Sequence, residues 1–254
     1  MQQNFKSLFV AATLGGLCAL TGCGSSETGE VRLGVSVAPL TELGDPTTDP
    51  RVAAGLELSR VRVLVNVAKV GYAGGCDADA ASDETAVGPF VVELTGDELA
   101  AGATRSFSLG ELAAGTYGGA EIEIDVLADD ADTSADATLA DFATTKASVL
   151  VDGTFNGAPF QFAGHFLAEQ GTDGEVTIDT TAGFDLPMSV DPSTWFLDAA
   201  GAVLDPTDAA QHEAIAVAIC KTLDTQPALG GGGGKGGKGG KGGGGHAHCV
   251  EVVP

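Results

Sequence analysis

From Leu58 to Tyr72 the chain reads Leu-Ser-Arg-Val-Arg-Val-Leu-Val-Asn-Val-Ala-Lys-Val-Gly-Tyr, and this run constrains the fold more than any other. In an extended chain successive side chains point to opposite faces. Val61, Val63, Val65 and Val67 therefore share one face, with Arg60, Arg62, Asn66 and Ala68 opposite. β-Branched side chains are restricted in a helix and pack well on a pleated surface. The run predicts a long strand with one apolar face, and that face needs a second layer to cover it.

The same period of two returns along the chain. Val31, Leu33, Val35 and Val37 alternate with Arg32, Gly34 and Ser36, and Pro39 ends that strand. Further strands are predicted over Phe90 to Leu94, up to Phe107 and Leu109, and over Ala120 to Leu127. Others follow over Ala147 to Asp152, Ala158 to Leu167, Glu175 to Thr181 and Gly183 to Val190. Asp152-Gly153, Asn156-Gly157 and Asp173-Gly174 read as tight turns, since glycine supplies the positive φ that hairpins need. Short strands with turn chemistry between them predict an all-β fold, an antiparallel β-sandwich of Ig-like or Greek-key type.

One segment breaks the period. Asp205-Pro206 offers an N-cap and a proline at the first helical position, and Ile215, Ile219 and Leu223 recur at helical spacing. One short C-terminal helix is predicted over residues 206–223. Ile215, Val217 and Ile219 also alternate, so a strand is the competing reading. At 44% hydrophobic residues the chain can bury a sizeable core, and the sandwich domain is expected to span residues 31–229. Beyond it, residues 230–245 hold 13 glycines with Lys235, Lys238 and Lys241. Glycine at that density costs too much entropy to order, which predicts a flexible Gly-rich tail before a C-terminal segment, residues 246–254.

Thirty-five acidic side chains face 12 basic ones, a net charge of −23. Such a field repels nucleic acid, so that class of partner is excluded, and it keeps a protein soluble.

The N-terminus carries an address. Lys6 gives a weakly basic start, Leu8 to Leu20 an apolar stretch, and Leu20-Thr21-Gly22-Cys23 closes it. The stretch is shorter than the ~20 residues a spanning helix needs, which favours a secretory signal over residues 1–22. The tetrapeptide resembles the lipobox of bacterial lipoproteins. That resemblance implies cleavage before Cys23, lipidation of its thiol and acylation of the new amino group. Two or more acyl chains hold a protein stably at a membrane without a spanning helix. Residues 23–30 would then be a polar tether. Gly24, in place of the aspartate of inner-membrane retention signals, implies the outer membrane. Of the five cysteines, Cys76, Cys220 and Cys249 remain, enough for one disulfide in an oxidising envelope. Sequence leaves the pairing open. Cys220 with Cys249 is the preferred pair, because it closes a long loose loop.

Two further motifs carry a family resemblance. Leu112-Ala113-Ala114-Gly115-Thr116-Tyr117 leads into the strand that begins near Ala120. Trp195-Phe196-Leu197-Asp198 is followed by Gly201 and by Leu204-Asp205-Pro206. Together with the valine-rich strand they resemble an uncharacterised family of bacterial envelope lipoproteins with a β-sandwich domain of unknown function. The resemblance covers residues 31 to about 223. It implies fold and location and supplies no catalytic residue. Tyr117 and Trp195 are expected to seal ends of the sandwich, each with its polar atom bonded to backbone, rather than to stack on a sugar.

Catalytic motifs fail one by one. Gly34-Val35-Ser36-Val37-Ala38 lacks the last glycine of a nucleophile elbow and lies in a strand. His212-Glu213-Ala214-Ile215-Ala216 has alanine where a zinc-protease helix needs its second histidine. The glycine-rich tail lacks the Ser or Thr that follows the lysine of a phosphate loop. Carboxylate pairs leave no signature, so an envelope hydrolase built on them is a third, weaker reading.

Metal ligands are sparse. Asp77, Asp79, Asp83 and Glu84, after Cys76, concentrate hard oxygens suited to Ca2+, as do Asp129, Asp130, Asp132 and Asp136. Neither has EF-hand spacing, and solvated acidic loops are the commoner reading. His246, His248 and Cys249 offer soft ligands, but a loose tail lacks the enclosed four-ligand geometry of structural zinc. The expectation is therefore a non-enzymatic, lipid-anchored binding or structural module. No cofactor is expected, and its partners are the membrane and an unspecified protein or glycan. The alternative is a calcium-dependent adhesion or carbohydrate-binding module using the Asp-rich loops.

Overall fold

The computed structural model describes residues 27–40, 50–71, 84–134, 136–172 and 175–223. Outside them lie residues 1–22, read as a signal, Cys23, Cys76, Asp77, Asp79, Asp83, Asp173-Gly174, residues 230–245, read as a linker, and the segment 246–254 with Cys249. Glu84 is placed as the first residue of a strand.

In chain order the elements are β1 (Thr28–Val37), α1 (Pro50–Ala53), β2 (Leu56–Gly71), β3 (Glu84–Val87), β4 (Phe90–Thr95) and α2 (Gly96–Ala101). Then come β5 (Thr104–Ala113), β6 (Gly115–Tyr117), β7 (Gly119–Ile124) and α3 (Ala137–Thr145). β8 (Val149–Phe155), β9 (Ala158–Gly164), β10 (Ala168–Thr172), β11 (Val176–Ile178), β12 (Phe184–Val190) and α4 (His212–Leu223) complete the order.

The valine-rich run is the spine of the larger sheet. Along one edge of β2, β4 faces Arg60 to Val65 and β3 faces Ala68 to Gly71, end to end. Along the other edge, β8 faces Leu56 to Val63 and β7 faces Val65 to Gly71. β9 pairs with β8, and β10 with β7. The sheet is therefore four strand-widths across, three of them interrupted. A smaller sheet, ordered β12-β1-β5, covers its inner face. β1 and β12 run parallel, the exception in an otherwise antiparallel sandwich. Strands so far apart in sequence need no hairpin, so nothing forces them to be antiparallel. β11 and β6 pair as a ribbon at one end.

Between the sheets, Leu33 and Val35 of β1, Val61, Val63 and Val65 of β2, and Leu186 and Met188 of β12 form a continuous buried core. One flank of the sandwich is closed by residues 195–223 rather than by a strand. Trp195 and Phe196 are fully buried there, with the Phe196 ring edge-on to Phe160 and Phe162 of β9. α4 buries Ile215, Ile219 and Leu223 against the same core.

Several sequence expectations are corrected by local geometry. Val61, Val63 and Val65 face inward as read, but a bulge between Val65 and Val67 flips the phase, and Ala68 and Val70 are buried instead. One extra residue in a strand exchanges its two faces. Asp152-Gly153 is no turn and lies inside β8; a Cβ on Gly153 would strike the Glu57 carbonyl and the Phe160 ring. Asn156-Gly157 is a hairpin turn as expected, with φ of 51° and 78°. The segment read as one strand from Ala158 to Leu167 breaks at His165-Phe166 into β9 and β10. The first strand starts at Thr28, inside the segment read as tether, because Thr28 and Gly29 pair with Ala113 and Leu112. α4 starts at His212 rather than at 206, since Asp205 caps a turn at Thr207 and Asp208 a 3-10 turn at Ala210.

Candidate functional site

The densest group of polar side chains lies on the outer face of the larger sheet, under α3. Arg60 and Arg62 project there from β2, because alternate residues of that strand face the core. Arg62 is only 2% exposed. Its Nη1 donates to Asp141 Oδ2 of α3 at 2.5 Å, and its Nη2 to Asp152 Oδ2 of β8 at 3.3 Å. The guanidinium lies 5.9 Å from the centre of the Phe142 ring. Asp152 also accepts from Arg60 Nε at 2.9 Å and, through Oδ1, from Gln161 Nε2 at 2.8 Å. Further along β2, Asn66 Nδ2 donates to Glu123 Oε1 at 3.1 Å, and Lys69 Nζ lies 3.5 Å from Glu123.

α3 holds this network down. The chain leaves the sheet where β7 ends and returns at β8, and the excursion folds back over the outer face. Leu139 and Phe142 of α3 pack with Leu64, Leu127, Ala147 and Leu150 in a small second core. That explains why Leu64 and Leu150 are fully buried on a face that otherwise carries charge. Chemically the arrangement is a clamp. Its acids are matched by guanidinium, ammonium or amide donors, which ties a helix to a sheet.

In the acidic loop before α3, Asp129, Asp132 and Asp136 are committed to local donors. Asp129 Oδ1 accepts from Lys146 Nζ at 2.6 Å, which holds its carboxyl below the usual range. Asp132 accepts from the Ser134 side chain and from its backbone N–H, and is lowered likewise. Asp136 caps α3 by accepting from Thr138 N at 2.8 Å. Among the described residues no three His, Cys, Asp or Glu side chains cluster as a metal site. Asp77, Asp79 and Asp83 of the other acidic loop lie outside them. Glu98, Asp179 and Asp208 are also lowered, chiefly by backbone N–H donors from Thr95, Ala182 and Ala210 respectively. These shifts all favour the ionised form, opposite to what a general acid needs.

Both flagged aromatics are buried, Tyr117 at 5% and Trp195 at 0% exposure. Tyr117 Oη donates to the Ala113 carbonyl at 2.7 Å, a backbone partner four residues upstream, as in the tyrosine corner of sandwiches. Trp195 Nε1 donates at 2.6 Å to the Thr222 hydroxyl of α4 rather than to backbone. Sequence reading missed Gln170. Fully buried in β10, it gives Nε2 to the Ser189 carbonyl at 3.1 Å and to the Leu223 carbonyl at 2.9 Å, and accepts from Ser189 N at 2.9 Å. A lone polar residue at an inward strand position was the available signal. Cys220, buried in α4, is disulfide-bonded.

Fold and site together define an all-β, sandwich-like protein with an ion-paired helix on one face. A scan against protein-family models finds no match to this chain. Searches of curated proteins and of solved structures find none either.

Proposed function

We propose that the chain is a bacterial envelope lipoprotein, acylated at Cys23 and held at the outer membrane, whose sandwich serves as a non-catalytic binding or structural module. The observation that carries the reading is the N-terminal sequence itself. A basic start, an apolar stretch and Leu20-Thr21-Gly22-Cys23 precede a fold whose first strand begins at Thr28. A disulfide at Cys220 suits an oxidising compartment such as the envelope. Among the described residues no helix is long and apolar enough to cross a membrane. The polar clusters of the sandwich join its elements, which supports a scaffold better than a reaction centre. Its partners in this reading are the membrane, through the lipid, and a protein or glycan.

The test is labelling with radioactive palmitate in a bacterial host that processes lipoproteins. Native chain takes up label and Cys23→Ser does not; equal labelling of both sinks the assignment.

A further inference from the structure

We infer that the sandwich meets the bilayer end-on, with the end that carries Glu27, Glu111 and the turn from Asp179 to Gly183 facing the lipid headgroups. The inference rests on acylation at Cys23, proposed above. Five residue steps separate Cys23 from Thr28, a reach of at most about 17 Å.

The start of β1 is held firmly, so the tether cannot lengthen by peeling it away. Thr28 Oγ1 donates to Glu111 Oε2 at 3.0 Å. A Cβ on Gly29 would strike the Asp179 carbonyl, so the two backbones are in close contact. Arg32 Nη2 donates to the Ala182 carbonyl at 3.1 Å, and its Nε to Asp185 at 2.7 Å. The last residue of β2, Gly71, lies at the same end. Its carbonyl accepts from Gly118 N, one residue past Tyr117, and Tyr117 faces Val176 of β11. The first residue of β2, Leu56, faces Phe155, beside the Asn156-Gly157 hairpin. The 16 residues of β2 therefore separate the two ends by roughly 50 Å at ~3.3 Å each. Unless the body lies on its side, a 17 Å tether leaves the hairpin far from the membrane.

Charge opposes the side-lying posture. A chain of net charge −23 is repelled by an anionic surface within about one Debye length, ~8 Å at physiological salt. Lying flat on the α3 face would press Asp129, Asp130, Asp132 and Asp136 into that layer, and those side chains are exposed or partly exposed. Standing on the tethered end keeps most of the acid outside it. The tether sets which end is near, and the charge sets the posture.

Energy transfer tests this. A donor dye is attached through 4-azidophenylalanine at Thr180, beside the tethered end, or at Ala158, beside the hairpin; both residues are exposed. The lipidated proteins are placed in phosphatidylcholine vesicles containing phosphatidylglycerol and a headgroup-linked acceptor. Flotation of the vesicles reports anchoring, and thermal melting reports folding. Transfer several-fold stronger from Thr180 than from Ala158 is expected. Equal or reversed transfer from folded proteins that float overturns the end-on arrangement while leaving the anchor standing. Failure of the Cys23-intact proteins to float overturns the anchor and the inference with it.

Discussion

At Gln170 a single side-chain amide takes the place of a missing strand. β10 and β12 belong to different sheets, and the Gln170 amide meets both the N–H and the carbonyl of Ser189 before also reaching the last carbonyl of α4. Replacing it with leucine leaves three backbone groups without partners, the buried Leu223 carbonyl and the half-buried N–H and carbonyl of Ser189, and a buried group so stranded costs about 1–3 kcal/mol. Gln170→Leu should lower stability by roughly 3 kcal/mol, or about 6–12 °C in Tm for a domain of this size. A shift of under a degree or two by calorimetry would show that the flank does not depend on this amide. Glu98 makes a second residue-scale case. The Thr95 N–H donates to its Oε2 at 2.8 Å and lowers its pKa below the usual 4.5. A lowered folded pKa contributes stability above the unfolded value, and that stability is lost as pH falls through the folded one. Glu98→Gln should therefore melt below the native protein at pH 6, and the gap should close below pH 4.5. A gap that widens on acidification would reverse the sign of this argument. Tyr117 and Trp195 were legible as sealing residues, because large aromatics beside turns have few other places to go. Gln170 was not, because its partners are backbone atoms from segments distant in sequence.

Among the elements, strands were far easier to read than helices. Alternation exposes a strand directly, and the inner face of β2 follows it from Val61 to Val65. Past Asn66 the alternation misleads, since a bulge leaves no mark in the pattern of residue types. α2 and α3 were missed although their start signals are present. Thr95 and Glu98 stand at the ends of a capping-box tetrapeptide, and Asp136 precedes an i, i+3 pair, Leu139 and Phe142. Both helices are short enough to pass for loops. α3 should behave as a separable flap on the larger sheet. Phe142→Ala removes the one aromatic ring of that small core, a loss of about 3–5 kcal/mol for a buried phenylalanine. Hydrogen exchange should then quicken by at least ~100-fold over Ala137–Thr145, at about 1.4 kcal/mol per tenfold, while the middle of β2 keeps its protection. Equal loss of protection in both would mean that α3 and the sandwich unfold as one unit.

For the molecule as a whole, the sandwich and the proposed membrane address rest on different kinds of information. The sandwich follows from burial: alternating strands must hide one face, and the two sheets do so against each other. The proposed address rests on a short N-terminal motif and does not depend on the fold. The partner was not legible, since Asp129, Asp132 and Asp136 accept from groups of their own loop and helix and so favour no ligand over another. The account turns on Cys23, and intact mass measurement of the protein extracted from its own membranes tests it most directly. A mature chain beginning at Cys23, heavier than the bare polypeptide by a diacylglyceryl group and one acyl chain, is the predicted result. A chain that keeps residues 1–22, or one cut elsewhere and carrying no lipid mass, would contradict it.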